Sequence, residues 1–279
     1  FIIKGVDRNE KDFKSYYKGI LTTCCRIIAQ MFIPDGTQII LQPSIFVLNG
    51  TMQIAFTIYG IFAYSLIAAL YFFVERNLSG SKIIKGLKYG ITCAVVWIIY
   101  LLEPLPHVNP IDKITYPMAD SAALIFMGLL LGLFCSKDNP KVEHDRSRNI
   151  LNDIFSLCCI TICFSIGRLI QYMFIDIYSS FENEKLYTLF WVVLTGFVIG
   201  VTMLYLKEHL VKGSRIKTSL ILGGMLFGID LLLFNFFMPL VFSADIPDLI
   251  IRTFIDIIAI TIGIYLISSK DKNMLYTHY

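Results

Sequence analysis

Apolar positions along this chain come in unbroken runs, where a soluble fold would show alternation or narrow stripes. Seven runs, at about 51–74, 83–105, 115–136, 150–175, 186–206, 216–241 and 249–268, are each long enough to cross ~30 Å of hydrocarbon as a helix. An eighth, Tyr16 to Ile33, is shorter and carries Arg26. At ~1.5 Å per residue it still reaches about 27 Å. Lipid offers no partner for an unpaired backbone amide, so every span is expected to be helical. A β-barrel would need apolar and polar residues to alternate, and these runs do not.

Composition agrees with that pattern. Of the 279 residues, 56% are hydrophobic and 16% charged, against about 25% charged in soluble domains. Where the basic residues fall decides how many runs cross. Lys and Arg collect in 1–18, 75–88, 137–148, 207–217 and the tail, whereas 34–50 and 242–248 have none. Segments 106–114 and 176–185 carry only Lys113 and Lys185. Basic loops mark the cytoplasmic side, which places both termini inside and requires an even number of spans. The expected fold is an all-α integral membrane protein with eight transmembrane helices, in the cell membrane.

The spans also repeat. Glu75, Gly80-Ser81-Lys82 and Gly90 recur as Glu208, Gly213-Ser214-Arg215 and Gly223, and Asp120 and Gly128 as Asp256 and Gly263. Arg26-Ile-Ile-x-x-Met-Phe-Ile33 recurs as Arg168-Leu-Ile-x-x-Met-Phe-Ile175. Two parallel four-helix repeats (4+4) are therefore expected, at 16–136 and 150–268. Around them lie a cytosolic segment at 1–15, a basic cytoplasmic linker at 137–149 and a cytoplasmic tail at 269–279. Residues 1–14 are too polar for a signal peptide and are expected to end a longer cytosolic segment. Copies with an even number of spans insert in one direction, and sites commonly fall between such repeats.

The candidate chemistry is the set of polar groups inside the spans. An ionised side chain at mid-bilayer costs roughly 2.5–3.5 kcal/mol and must face the bundle interior, paired or hydrated. The repeat pairs Arg26 with Asp120 and Arg168 with Asp256, and Gln30 and Gln171 lie one turn away on the same helices. Glu103, Asp230 and Asn235 have no counterpart of their own type; Trp97 stands where the repeat would put Asp230. These asymmetric groups are the better ligand candidates, since scaffolding tends to be duplicated. Arg252 is expected near the outer rim. Pro104 and Pro239 end or break their helices at matching places. Gly86/Gly90, Gly128/Gly132 and Gly196/Gly200 are small-residue pairs that permit close helix contact.

Other chemistries find no set of residues. The seven cysteines lie in or beside spans and the histidines in loops or the tail, so neither a disulfide framework nor a metal or cofactor site is expected. No phosphate-binding glycine loop or catalytic elbow is present, and the net charge of +3 sits in the basic loops and gives no reason to expect nucleic acid. Two readings of the arginines stand: clamps that fix helix register, or guanidinium forks for a carboxylate or phosphate. Three functions follow. The first is a transporter or substrate-capture subunit with an outward-facing polar cavity for a small anionic solute or lipid headgroup. The others are a sensor or accessory protein with structural Arg–Asp pairs, and a membrane-embedded enzyme acting on a lipid-linked substrate. A homodimer or a partner membrane or cytosolic subunit is compatible with each.

Overall fold

The computed structural model describes residues 2–33, 41–136, 150–210 and 213–268, with side chains from Ser15 onward. The basic linker at 137–149, the tail at 269–279, part of the 34–50 loop and Lys212 lie outside the described residues. In chain order the helices are α1 (Ile2–Gln30), α2 (Ile45–Leu48), α3 (Met52–Leu70), α4 (Lys82–Leu101), α5 (Asp112–Cys135) and α6 (Ile150–Ile170). They continue with α7 (Lys185–Glu208), α8 (Arg215–Ser219), α9 (Gly228–Asn235), α10 (Met238–Val241) and α11 (Ile246–Ile267). Among the described residues there is no strand, only one isolated bridge between Pro43 and Phe242.

Among the described residues, seven helical stretches are long and apolar enough to cross a membrane: Met52–Phe73, Lys82–Leu101, Asp112–Cys135, Ile150–Ile175, Lys185–Glu208, Arg215–Val241 and Ile246–Ile267. Their outer faces fit that environment. On α11, Phe254, Ile258, Ile262 and Leu266 form an exposed row at four-residue spacing, and α6 exposes Ile162, Ile166 and Ile170 in the same way. A soluble protein does not leave such rows in water. The opposite stripe of α11 carries Arg252, Thr253, Asp256, Ile260 and Gly263, all buried. Its polar groups thus point away from the apolar row, as they must in lipid.

Two helix boundaries differ from the sequence expectation. α1 begins at Ile2, well before Tyr16, and stops at Gln30. Lys and Glu lower hydropathy without opposing a helix, so charge hides the early turns from a search for apolar runs. Pro34 excludes helix from the residue before it. α4 ends at Leu101, and Glu103 therefore lies beyond it, because Pro104 and Pro106 remove two backbone donors. α1 is not among the seven membrane-length apolar stretches.

The chain forms two compact units. The first is Phe1–Leu101, Asn109–Glu143 and Phe236–Ala244. In it α1 packs on α3 and α5, and α4 on α5. The α4–α5 contact is backbone against backbone: a Cβ on Gly86 would stand 2.1 Å from the Gly128 carbonyl oxygen, and one on Gly90 2.6 Å from that of Leu124. Gly80, at φ +116°, makes the turn into α4, a conformation that only glycine adopts cheaply. α10 joins this unit through Ser44, whose Oγ donates to the Leu240 carbonyl at 2.7 Å. Phe237, just before it, sits 5.0 Å from Phe56 and 4.7 Å from Tyr59, ring to ring.

The second unit is Leu102–Val108, His144–Asn235 and Asp245–Tyr279. Here α6 packs on α7 and α11, and α11 on the helix running from Arg215 to Asn235. Gly223 permits the last contact, since a Cβ there would meet Thr261 Oγ1 at 2.4 Å. α6 ends in a π-helical turn, Gln171–Ile175, closed by Asp176 at φ +56°. A second π stretch, Leu220–Phe227, joins α8 to α9. Such turns are rare and often found at functional sites.

Candidate functional site

Arg26 on α1 and Asp120 on α5 meet in the first unit, with Arg26 Nε donating to Asp120 Oδ1. Gln30, one turn along, accepts from Arg26 Nη1 at 2.8 Å, and the guanidinium lies 5.7 Å from the Phe56 ring centre. Both charged partners are buried. This is a small, closed arrangement.

The second unit holds a larger one. Arg168, 1% exposed, uses both ends of its fork: Nη1 donates to Glu103 Oε1 at 2.8 Å and Nη2 pairs with Asp256 Oδ2 at 2.7 Å. Gln171, fully buried in the π turn, donates from Nε2 to Asp256 Oδ1 at 2.8 Å. The faces of the guanidinium are covered by Phe164 and Trp191, at 5.6 Å and 4.9 Å from their ring centres. Arg252 comes next on the buried stripe of α11. Its Nη1 is 3.7 Å from Glu103 Oε2, and its Nε donates to Asp248 Oδ2 at 3.1 Å.

Loops knit the rim of this cluster together. Arg252 Nη2 donates to the Tyr178 carbonyl, and the Tyr178 amide donates to Asp248 Oδ1 at 3.1 Å. The Ser180 amide reaches the Pro104 carbonyl at 3.2 Å, anchoring the segment that carries Glu103. His107 Nδ1 lies 3.1 Å from the Tyr178 hydroxyl, with the rings stacked. Burial pushes the Tyr178 hydroxyl above its ordinary range, outweighing the opposing effects of a His107 backbone hydrogen bond and of Arg252. It therefore stays protonated at neutral pH.

Asn235 donates to Thr253 Oγ1 at 2.7 Å, and Asp230 is buried on α9. Sequence reasoning left Glu103 without a partner, because the repeat offers it no counterpart. In the structure the segment 102–108 belongs to the second unit. Asp248 and Tyr172 were not singled out, and Arg252 was placed only near a rim. The spacing Asp248, Arg252, Asp256 at i, i+4, i+8 is the signal for one ionic helix face. Also missed were Lys18, Glu75 and Lys85, all buried in the first unit, where Tyr71 and Ser136 hydroxyls meet at 2.5 Å.

Two guanidinium groups thus meet three carboxylates in the second unit's cluster, among the described residues. Removing one partner of such a buried set strands the rest and costs about 3–5 kcal/mol. Among the described residues no three of His, Cys, Asp and Glu come together to hold a metal ion. No protein family, curated protein or solved structure matches this chain.

Proposed function

We propose that this protein is a membrane transporter or substrate-capture subunit, built from two four-helix repeats inserted in the same direction. α1 is then the eighth span, both basic ends lie in the cytoplasm, and the Arg168 cluster is the solute site, below the outer face. Matching pairings support the repeat: α1 on α3 and α5, with α4 on α5, against α6 on α7 and α11, with the 215–235 helix on α11. Copies of even span number give this parallel arrangement.

The observation that carries the functional reading is the asymmetry of the two polar sites. Where Arg26 meets a single carboxylate, Asp120, its counterpart Arg168 gathers with Glu103, Asp256, Arg252 and Asp248 from three chain segments. A scaffold needs no such elaboration in only one copy, and ionisable groups inside membranes commonly mark solute or proton paths. An anionic solute or lipid headgroup would have to displace Glu103 or Asp256 from the Arg168 fork. Proteoliposomes offered a mixture of labelled amino acids, organic acids and amines test the reading. Wild type should take up at least one solute above empty vesicles, and Arg168→Gln and Glu103→Gln should not. Uptake equal to empty vesicles, or unchanged in both variants, contradicts it.

A second reading holds for the first unit, where Arg26, Asp120 and Gln30 form a closed set beneath Phe56. That geometry favours a structural clamp, as a sensor or accessory protein would also use.

A further inference from the structure

We propose that the Arg168 cluster binds a solute through a primary ammonium group. The proposal rests on reading this cluster as the solute site, and it reverses the charge that the arginines by themselves would call for.

The orientation of Gln171 is the starting point. Its Nε2 donates to Asp256 Oδ1 at 2.8 Å; a flipped amide would set oxygen against carboxylate. Its Oε1 must therefore face away from Asp256. Gln171 is completely buried, and this oxygen has no hydrogen-bond partner among the described residues. A buried acceptor left in that state has given up water with nothing in return. The next residue, Tyr172, repeats the pattern: it is 7% exposed and its hydroxyl also lacks a partner. That hydroxyl feels Arg168, Glu103, Asp256 and Arg252 together, and its residue directly follows Gln171, which bonds Asp256. The π turn brings both residues there, because its wider coil rotates successive side chains by less than an α-helix does.

Glu103 supplies the third acceptor. Its Oε1 is taken by Arg168, but its Oε2 is approached by Arg252 only at 3.7 Å, beyond hydrogen-bond range. Gln171 Oε1 and Glu103 Oε2 only accept and Tyr172 Oη can accept, so an occupant that matches all three donates several hydrogen bonds. Charge points the same way, since three carboxylates meet two guanidinium groups. An ammonium has three donors and no acceptor. An anion would set its own acceptors against Gln171 Oε1 and Glu103 Oε2. A metal ion would need three such ligands converging on one point, and among the described residues none are so placed. A quaternary ammonium has no N–H and calls for open aromatic faces, but Phe164 and Trp191 already cover Arg168.

The test uses the purified full chain in lipid nanodiscs, followed by thermal unfolding and calorimetric titration with methylammonium chloride. Tetramethylammonium, sodium and acetate serve as comparisons. Methylammonium should stabilise the protein saturably and the comparisons should not. Gln171→Leu and Tyr172→Phe should each weaken methylammonium binding at least about tenfold. Tyr172→Phe preserves the ring stacked on Phe181 at 5.0 Å, so it keeps the test valid if Gln171→Leu misfolds. No stabilisation of wild type by methylammonium, binding unchanged in a folded variant, or preference for acetate each overturns the proposal. Methylammonium binding without uptake of any solute would leave this proposal standing and remove the transport reading. Uptake that depends on Arg168 without methylammonium binding would do the reverse.

Discussion

Arg26 and Arg168 occupy equivalent places in a repeated motif, yet one meets a single carboxylate and the other two. Their variants should therefore behave differently. Arg26→Met alone strands Asp120 and should lose about 3–5 kcal/mol, whereas Arg26→Met with Asp120→Leu should return close to wild type. Arg168→Gln removes the cation that Glu103 and Asp256 share. A second change, Glu103→Gln, should recover part of that loss. Unfolding midpoints in a common detergent read both series. Repeat spacing alone places Arg26 opposite Asp120 and Arg168 opposite Asp256, and the structure sets both pairs in contact. Glu103 was not legible as a partner of Arg168, because the chain leaves α4 at Leu101 and residues 102–108 belong to the second unit. Nor was Tyr172, whose burial depends on a π turn that no hydrophobic period announces.

Helix contacts rest on a few positions where nothing but hydrogen fits. Gly86→Val should prevent α4 from closing on α5, since even a Cβ there stands 2.1 Å from the Gly128 oxygen. The expected readout is loss of the folded, monodisperse fraction on size-exclusion chromatography. Gly224→Ala is the contrast: nothing lies within 4 Å of a Cβ there, so it should hold or gain ~0.5–1 kcal/mol. These close approaches were foreseeable from Gly86/Gly90 and Gly128/Gly132. The seven apolar stretches were likewise visible in the sequence to within a few residues, because lipid demands long uninterrupted runs. α1 was only half visible. Its early turns are polar, and polar residues that form helix look like loop to a search for apolar runs.

Across the whole chain, basic residues and burial bear on the same question, which is whether α1 crosses the bilayer. If it does, Arg26 reaches Asp120 within hydrocarbon and the spans number eight. If it does not, the basic segments 1–18 and 75–88 fall on opposite faces, against the charge rule. Labelling by a membrane-impermeant maleimide in intact cells decides this most directly, using a cysteine-free protein that carries Glu10→Cys, Ser79→Cys or Glu182→Cys singly. Positions 10 and 79 should react only after the membrane is opened, and position 182 should react from outside. Positions 10 and 79 reacting from opposite faces, or 79 and 182 from the same face, would contradict the account.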